Sequence, residues 1–572
     1  MEETARASPA LKLMGMALLS ACVVLAGPAA VALGPSTLVA IPNPSPNDDA
    51  TFGVSVAGLD DLNGDGTGDL AVGAPGAGRV DLLSGADRSV IRSIEDPDAL
   101  AGGGFGFAVA GIDDINGDGV QDVVVGAPGS CFAGPGCLPP PCPNGDLYCP
   151  LDEPDAGRAF IFSGATGGLL QTLVPTSDFD GWHLGFALAP LGDVNGDGVP
   201  DVAVSDPVYG LPAYGEVRVF SGATGDELWV TREPPFPTMK PDAGSFGMFL
   251  GTVDDVTGDG RADLVVGTPL ADLDPDPSVS DLHGKAYLLS GQTGDIVRAH
   301  QDPSGEFFGG GVGGVGDQNG DGFEDYAVGD RGAGDVRVFS GKDGVLLRSI
   351  PVSGTASAYS IARAEDWNGD GVDDMWVGAA GTGTVLLMTG TGTVLGSAPD
   401  PVADPAMTPL QDLFGWNIAV TDDLGADPQR DLVVGDGAEA VGGHANAGSA
   451  YLVFLCADTE APTVTVTASP GVLWPPNHTY RTVVATVAAT DNVDPSVVPA
   501  LVSVTSNEPD NGTDDGNTVN DIVVVDDHTF LLRAERSSSG SGRIYTITYS
   551  ATDECGNSAL GTATVLVPIA RA

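Results

Sequence analysis

The ten residues DLNGDGTGDL that begin at Asp61 hold three aspartates, one asparagine and three glycines. No such segment can enter a core, and its carboxylates repel one another. Yet it returns as DINGDGVQDV at Asp114, DVNGDGVPDV at Asp193, DVTGDGRADL at Asp255, DQNGDGFEDY at Asp317 and DWNGDGVDDM at Asp366, with a worn seventh copy, DLGADPQRDL, at Asp423. A motif that must stay at the surface, repeated at intervals too short for separate domains, dictates a fold of stacked units.

Each unit reads alike. A Phe-Gly pair (Phe52-Gly53, Phe105-Gly106, Phe246-Gly247, Phe308-Gly309, Phe414-Gly415) comes before the acidic loop, and a β-branched run such as DVVVGAP follows it. A hairpin of the type RAFIFSGATGGLLQTL closes the unit, its Ser-Gly-x-x-Gly step supplying glycine where a tight turn needs positive φ. Four short strands per unit cannot bury a face alone, and seven such units close best as a β-propeller, which leaves only short protected edges. A right-handed solenoid is the alternative, but its repeats are much shorter. The last unit stops at GSAYLVFLC without its final strand. The N-terminal segment STLVAIPNPS is expected to supply that strand and close the ring.

Within each loop, oxygen-bearing side chains stand at positions one, three, five and nine. Calcium takes six to eight oxygens, and alternating positions of a tightly turning loop aim them inward, with position seven giving its backbone carbonyl. The candidate ligands are Asp61, Asn63, Asp65, Thr67 and Asp69, then Asp114, Asn116, Asp118, Val120 and Asp122. The third loop offers Asp193, Asn195, Asp197, Val199 and Asp201, the fourth Asp255, Thr257, Asp259, Arg261 and Asp263. The fifth offers Asp317, Asn319, Asp321, Phe323 and Asp325, the sixth Asp366, Asn368, Asp370, Val372 and Asp374. The pattern begins like an EF-hand loop, but Val72 stands where the EF-hand has its twelfth-position glutamate, and a strand follows. About six calcium ions are expected. The seventh loop, with Pro428 where the turn needs glycine, is expected to hold none.

The formal charge of −55 over 572 residues argues against nucleic acid or an anionic membrane as partner, since both are held by Lys and Arg. Six divalent ions would cancel only a minority of it. Residues 1–32 read as an export signal: Arg6 and Lys12, the apolar run LMGMALLSACVVLAG, then a small-x-small site at Ala30-Val31-Ala32. The alternative is lipidation at Cys22 after Leu19-Ser20-Ala21. No other stretch is long and apolar enough to span a bilayer. The mature protein is thus expected to be secreted or held at the cell surface. Cys131, Cys137, Cys142 and Cys149 crowd a proline-rich insertion without paired C-x-x-C units, so two disulfides are expected rather than a metal site; three pairings are open. Cys456 and Cys555 could form a further bridge.

Phe-Gly, then D-x-N-G-D-G-x-x-D, then Gly-Ala-Pro (Gly73-Ala74-Pro75, Gly126-Ala127-Pro128) resembles the FG-GAP repeat of the integrin α-subunit N-terminal propeller and of many exported bacterial proteins. The resemblance covers about 36–457. It implies a seven-bladed propeller with calcium in blade loops and a role in adhesion or ligand recognition, the partner being an extracellular protein or glycan. Departures stand at Leu184-Gly185 and Ser205-Asp206-Pro207 in unit three, and at Tyr359-Ser360 and Gly378-Ala379-Ala380 in unit six.

Residues 33–457 are therefore expected to be the propeller, and a composition shift after Cys456 opens a second domain, 458–572. There TVTVTAS, RTVVATVAATD, PALVSVTS, DIVVVDD, TFLLRAE, RIYTITYSATD and GTATVLVP alternate at period two. About seven such strands read as an immunoglobulin-like β-sandwich. LWPPNH, SNEPDNG and TYSATDECGN are similar to HYR-type modules of bacterial surface proteins. The acidic stretch EPDNGTDDGNTVND reads as a solvated loop, with calcium as the alternative. The fold class is all-β throughout. Catalysis has no visible constellation: His183, His283, His300, His444, His478 and His528 are scattered and lie in no nucleophile-elbow or H-E-x-x-H context. A non-catalytic binding module is the expectation. An extracellular enzyme acting on polysaccharide or phosphoester from a propeller scaffold is the alternative.

Overall fold

The computed structural model describes residues 37–570 except 48, 99–102, 130–156, 176–182, 208–214, 235–244, 272–282, 303–306, 353–357, 403–412, 423, 425–429, 442–443, 445, 455–459, 493–496, 512–514, 517 and 554–556. The leader, all seven cysteines, Asp423, Asp427 and Pro428 lie outside the described residues. So do the expectations that rest on them.

Among the described residues the regular elements are strands and two short 3-10 turns, Pro75–Ala77 and Ala380–Thr382. No helix among the described residues is long and apolar enough to cross a membrane. The acidic repeats organise a series of seven four-stranded antiparallel sheets among the described residues, the first six each made of four strands consecutive in the chain. The first runs Ser55–Leu59, Asp69–Ala74, Arg79–Ser84 and Val90–Glu95. The sixth runs Ser360–Arg363, Met375–Ala379, Thr384–Met388 and Val394–Pro399. The seventh is built differently. Ile418–Val420, Leu432–Asp436 and Ser449–Phe454 are completed by Thr37–Ile41, which pairs in register from Thr37↔Phe454 to Ile41↔Ala450. The expected N-terminal strand is therefore the last strand of the last sheet.

The core lies between sheets rather than within them. Ala71, Val80 and Leu82 of the first sheet pack on Phe105, Val123 and Phe160 of the second. The same layer recurs around the series, and Val433 and Leu452 of the seventh sheet pack on Phe52, Val56 and Val72 of the first. An all-β chain of repeated four-stranded sheets, each packed on the next and the last on the first, fits a β-propeller.

The Phe-Gly pair makes that stacking possible. Phe52, Phe105, Phe246 and Phe308 are 1% exposed or less, each wedged against the neighbouring sheet. Gly53 adopts φ +89°, and a Cβ there would stand 2.0 Å from the Ser449 carbonyl oxygen, so only glycine lets the two backbones meet. In the sixth unit Tyr359-Ser360 does not occupy this place. Ala358 does, at φ +59° and with its carbonyl against Gly329, and Tyr359 moves one position inward. The alignment slipped because an alanine held in the left-handed region looks like nothing in a sequence. The hairpin glycines also divide their work. The second of each pair has positive φ (Gly167, +71°), whereas the first, Gly164, is demanded by close approach, its would-be Cβ falling 1.9 Å from the Gln121 carbonyl oxygen.

Beyond residue 460 two further sheets pack together. One has the order Thr463–Ser469, Tyr480–Thr490, Thr529–Arg533, Ile522–Val524; the other is Ala500–Ser506, Arg543–Thr552, Ser558–Val567. Phe530, Leu532, Tyr545, Ile547 and Val565 fill the space between them.

Candidate metal-binding loops

Each acidic loop joins the innermost strand of a sheet to the second. In all six intact copies the two central glycines adopt the same left-handed pair, φ +79° and +93° at Gly64 and Gly66, +73° and +86° at Gly369 and Gly371. Sequence recurrence has become conformational recurrence. The first aspartate caps the turn: Asp61 accepts hydrogen bonds from Gly64 N at 2.6 Å, Asp65 N at 3.1 Å and Gly66 N at 2.8 Å. Asp114, Asp193, Asp255 and Asp317 do the same. In the sixth loop Asp366 accepts from Asp370 N and Gly371 N.

The ninth position closes the loop. Asp69 accepts from Leu62 N at 2.7 Å and, across to the hairpin, from Gly85 N at 3.2 Å. The matching aspartates Asp122, Asp201, Asp263, Asp325 and Asp374 are at most 1% exposed. Burial, opposed by those backbone donors, pushes Asp69, Asp201 and Asp325 up to about 6 and Asp374 up to about 7. The first-position carboxylates move the other way: the backbone N–H groups outweigh burial and hold Asp114, Asp193 and Asp317 below the usual range. One loop thus holds an anion stabilised by amides next to a carboxyl reluctant to ionise. A divalent cation would relieve that reluctance, and protons would compete with it for the same oxygens.

The donor set fits such an ion: all oxygens, several carboxylates, an open turn with nothing within 4 Å of where a Cβ on Gly64 or Gly66 would lie. Asp61, Asn63, Asp65 and Asp69 would be the side-chain ligands in the first loop, with Thr67 offering its carbonyl. The third-position amides presently turn Nδ2 toward the carboxylates, Asn63 to Asp65 at 2.8 Å and Asn116 to Asp122 at 3.1 Å, so ligation requires the oxygen to swing inward. Thr257, standing in for asparagine, donates to Asp263 at 3.2 Å.

Two participants escaped the sequence reading. The serine that opens the outer hairpin turn reaches the fifth-position carboxylate: Ser84 to Asp65 at 3.0 Å, Ser290 to Asp259 at 3.0 Å, Ser163 to Asp118 at 3.3 Å. Its recurrence in the first five repeats was the available signal, Thr389 standing in its place in the sixth. The second is the side chain of Arg261, a residue expected to offer only its carbonyl, which leaves its own loop to contact the preceding one, its Nη1 donating to the Asp193 carbonyl and lying 3.4 Å from Asp193 Oδ2. The worn seventh loop keeps its lock, Asp431 accepting from Leu424 N at 2.8 Å.

A different acidic group lies beyond residue 500. Asp515, Asp521 and Glu535 are the only described trio of such side chains with ligand atoms mutually within 4.8 Å. Arg543 occupies this cluster, donating to Asp515 at 2.7 Å and to Asp521, with Glu508 at 3.2 Å. Part of the stretch expected to be a solvated loop is therefore buried on an arginine.

The FG-GAP repeat matches residues 52–88, 105–135 and 246–283. The chain is 33% identical to integrin alpha-V of Gallus gallus over 235 residues, 38% of this chain and 20% of that protein. It is 28% identical to integrin alpha-PS2 of Drosophila melanogaster over 284 residues, 45% of this chain and 19% of that protein. The matched region thus spans about a fifth of the length of these relatives. A crystal structure of Chaetomium thermophilum Raptor is similar over 74% of this chain and 30% of its own, at 11% identity and a TM-score of 0.44. The chain thus carries FG-GAP repeats in these three segments and is similar over part of its length to integrin alpha chains.

Proposed function

We propose that this chain is an exported, calcium-stabilised recognition module: a seven-bladed FG-GAP propeller, 33–457, followed by an immunoglobulin-like domain, 458–572, acting without catalysis at the cell surface or in the surrounding medium. The observation that carries this reading is the ring itself, closed by Thr37–Ile41 and bearing six conformationally equivalent acidic loops at one end of the inner strands. Inner strands of about five residues put roughly 17 Å between those loops and the opposite end. The ions would therefore hold the blades, and a ligand would meet the far face or the second domain. Similarity to integrin alpha chains supports adhesion or ligand recognition as the role, with an extracellular protein or glycan as partner. Cleavage after residue 32 would release the protein, whereas lipidation at Cys22 would tether it.

Metal analysis of gel-filtered mature protein should give about six calcium ions per chain, with magnesium a poor substitute because it favours rigid octahedral sites. The same preparation should bind extracellular glycans or matrix proteins on an array while leaving them chemically unchanged. Fewer than three ions, or turnover of a polysaccharide or phosphoester, would contradict the reading.

A further inference from the structure

At the end of the inner strands opposite the acidic loops, a cavity of about 190 Å³ opens on the ring axis. The first residues of the inner strands line it, aliphatic side chains together with the rings of Phe107, Phe186, Phe249, Tyr359 and Trp416. Phe107 meets Phe186 at 4.9 Å between centroids, Tyr359 meets Trp416 at 4.5 Å, and Phe249 lies 6.5 Å from Trp416. Three polar side chains interrupt the collar. Ser55 and Ser360 donate to the carbonyls of Gly106 and Gly415; Ser55 is buried at 2% exposure, whereas the partly exposed Ser360 keeps its oxygen as an acceptor. Asn417 accepts from Val56 N through Oδ1, which leaves its Nδ2 as a donor.

Aromatic collars commonly take cations, but this one already has its own. The fifth inner strand carries Gly310 where its neighbours carry side chains, and a Cβ there would lie 2.7 Å from Arg331 Cδ. That bare position lets Arg331 cross to Tyr359, with its guanidinium carbon 3.9 Å from the ring centroid and Nη2 donating to the phenol oxygen. Burial lowers the Arg331 pKa, and its Nε has no hydrogen-bond partner. A second cation next to it would be repelled. An anionic chain would be repelled by the −55 charge of the whole molecule. A wholly apolar ring would leave the Asn417 amide unpaired on desolvation. A pocket below the usual 300–1,000 Å³ of drug-sized sites has room for a single ring.

We propose that the axial cavity binds one uncharged pyranose ring, the end of a neutral glycan, stacked on Trp416 and Phe107 with its hydroxyls on Asn417 and Ser360. This rests on the recognition reading above and gives it a ligand class. Calorimetry of the full chain in calcium, titrated in turn with galactose, mannose, N-acetylglucosamine, glucuronate and tetramethylammonium, tests it. At least one neutral sugar should bind in the millimolar range. Trp416→Ala should weaken that sugar tenfold or more, and Trp474→Ala in the second domain should not. Phe107→Ala serves the same purpose if Trp416→Ala lowers the melting temperature. The proposal falls if no neutral sugar binds, if glucuronate or tetramethylammonium binds more tightly than every neutral sugar, or if both collar variants keep full affinity. A protein that holds six calcium ions and binds another ligand, yet fails these titrations, would lose this site and keep its broader role.

Discussion

At the scale of single residues, the ninth-position aspartate does two separable jobs. It would ligate an ion, and it already locks the loop through backbone N–H groups. The seventh loop isolates the second job, because Asp431 keeps the bond to Leu424 N in a loop that lacks the ligand pattern. Asp431→Ala should therefore cost about 1 kcal/mol, the loss of a hydrogen bond to a partly buried donor, equally in calcium and in chelator. Thermal unfolding under both conditions measures it. Asp65→Ala should instead be costly in calcium and mild in chelator, since a ligand leaves and the only backbone donor it strands, Thr67 N, is exposed to water. Glu233 offers a pH-dependent case. It is 3% exposed, and burial pushes its carboxyl up to about 7 against the pull of Lys285 and Tyr287. A raised folded-state pKa means full stability below the unfolded value of about 4.3 and a progressive loss as pH rises through about 7. Glu233→Gln should thus match the parent near pH 4 and exceed it by about 1–2 kcal/mol at pH 8, the gain trimmed because Lys285 loses its partner. A difference that does not vary with pH would contradict this.

At the scale of loops and strands, Arg261 ties the fourth acidic loop to the third and contends for Asp193. Half-exposed pairs of this kind are worth about 0–1 kcal/mol. Arg261→Ala should therefore raise calcium affinity at the third loop by up to about fivefold, read as one tightened step in a chelator-competition titration; an unchanged curve would show that the contact is incidental. Deleting residues 37–41 should uncover the edge of Ser449–Phe454 and produce aggregation or a much lower melting temperature. The strand pattern, the loop positions and the closing N-terminal strand were legible in the sequence because each depends on local periodicity or on a missing partner. Arg261, the loop-facing serines and the Ala358 turn were not. Each acts through a contact between segments distant in sequence, or through a backbone angle that alanine does not advertise. The Arg543 cluster was hidden for the same reason: its acids read as a charged loop until the fold brings an arginine beneath them.

At the scale of the whole molecule, empty loops are a standing repulsion distributed round the ring. Each filled site contributes about 2.7 kcal/mol at free calcium one hundred times its dissociation constant, and several together rival the 5–15 kcal/mol that hold an ordinary domain. Calorimetry should resolve two transitions. Chelator should move the one belonging to the ring steeply downward and barely shift the one belonging to residues 458–572. A melting profile indifferent to chelator would make the loops plain acidic turns.

The seam between Thr37–Ile41 and Ser449–Phe454 joins segments on the order of 400 residues apart. At ribosomal speeds of about 5–20 residues per second, the first strand waits roughly 20–80 s before its partner exists. During that time TLVAI is a short, uncharged, β-prone segment with nothing to pair with, the kind that other chains capture. Pro42, Pro44 and Pro46 follow it at alternate positions, where they withhold the amide donors a growing aggregate would need. The ring's fastener is thus also its last event in time, and the prolines beside it act as a guard during the delay.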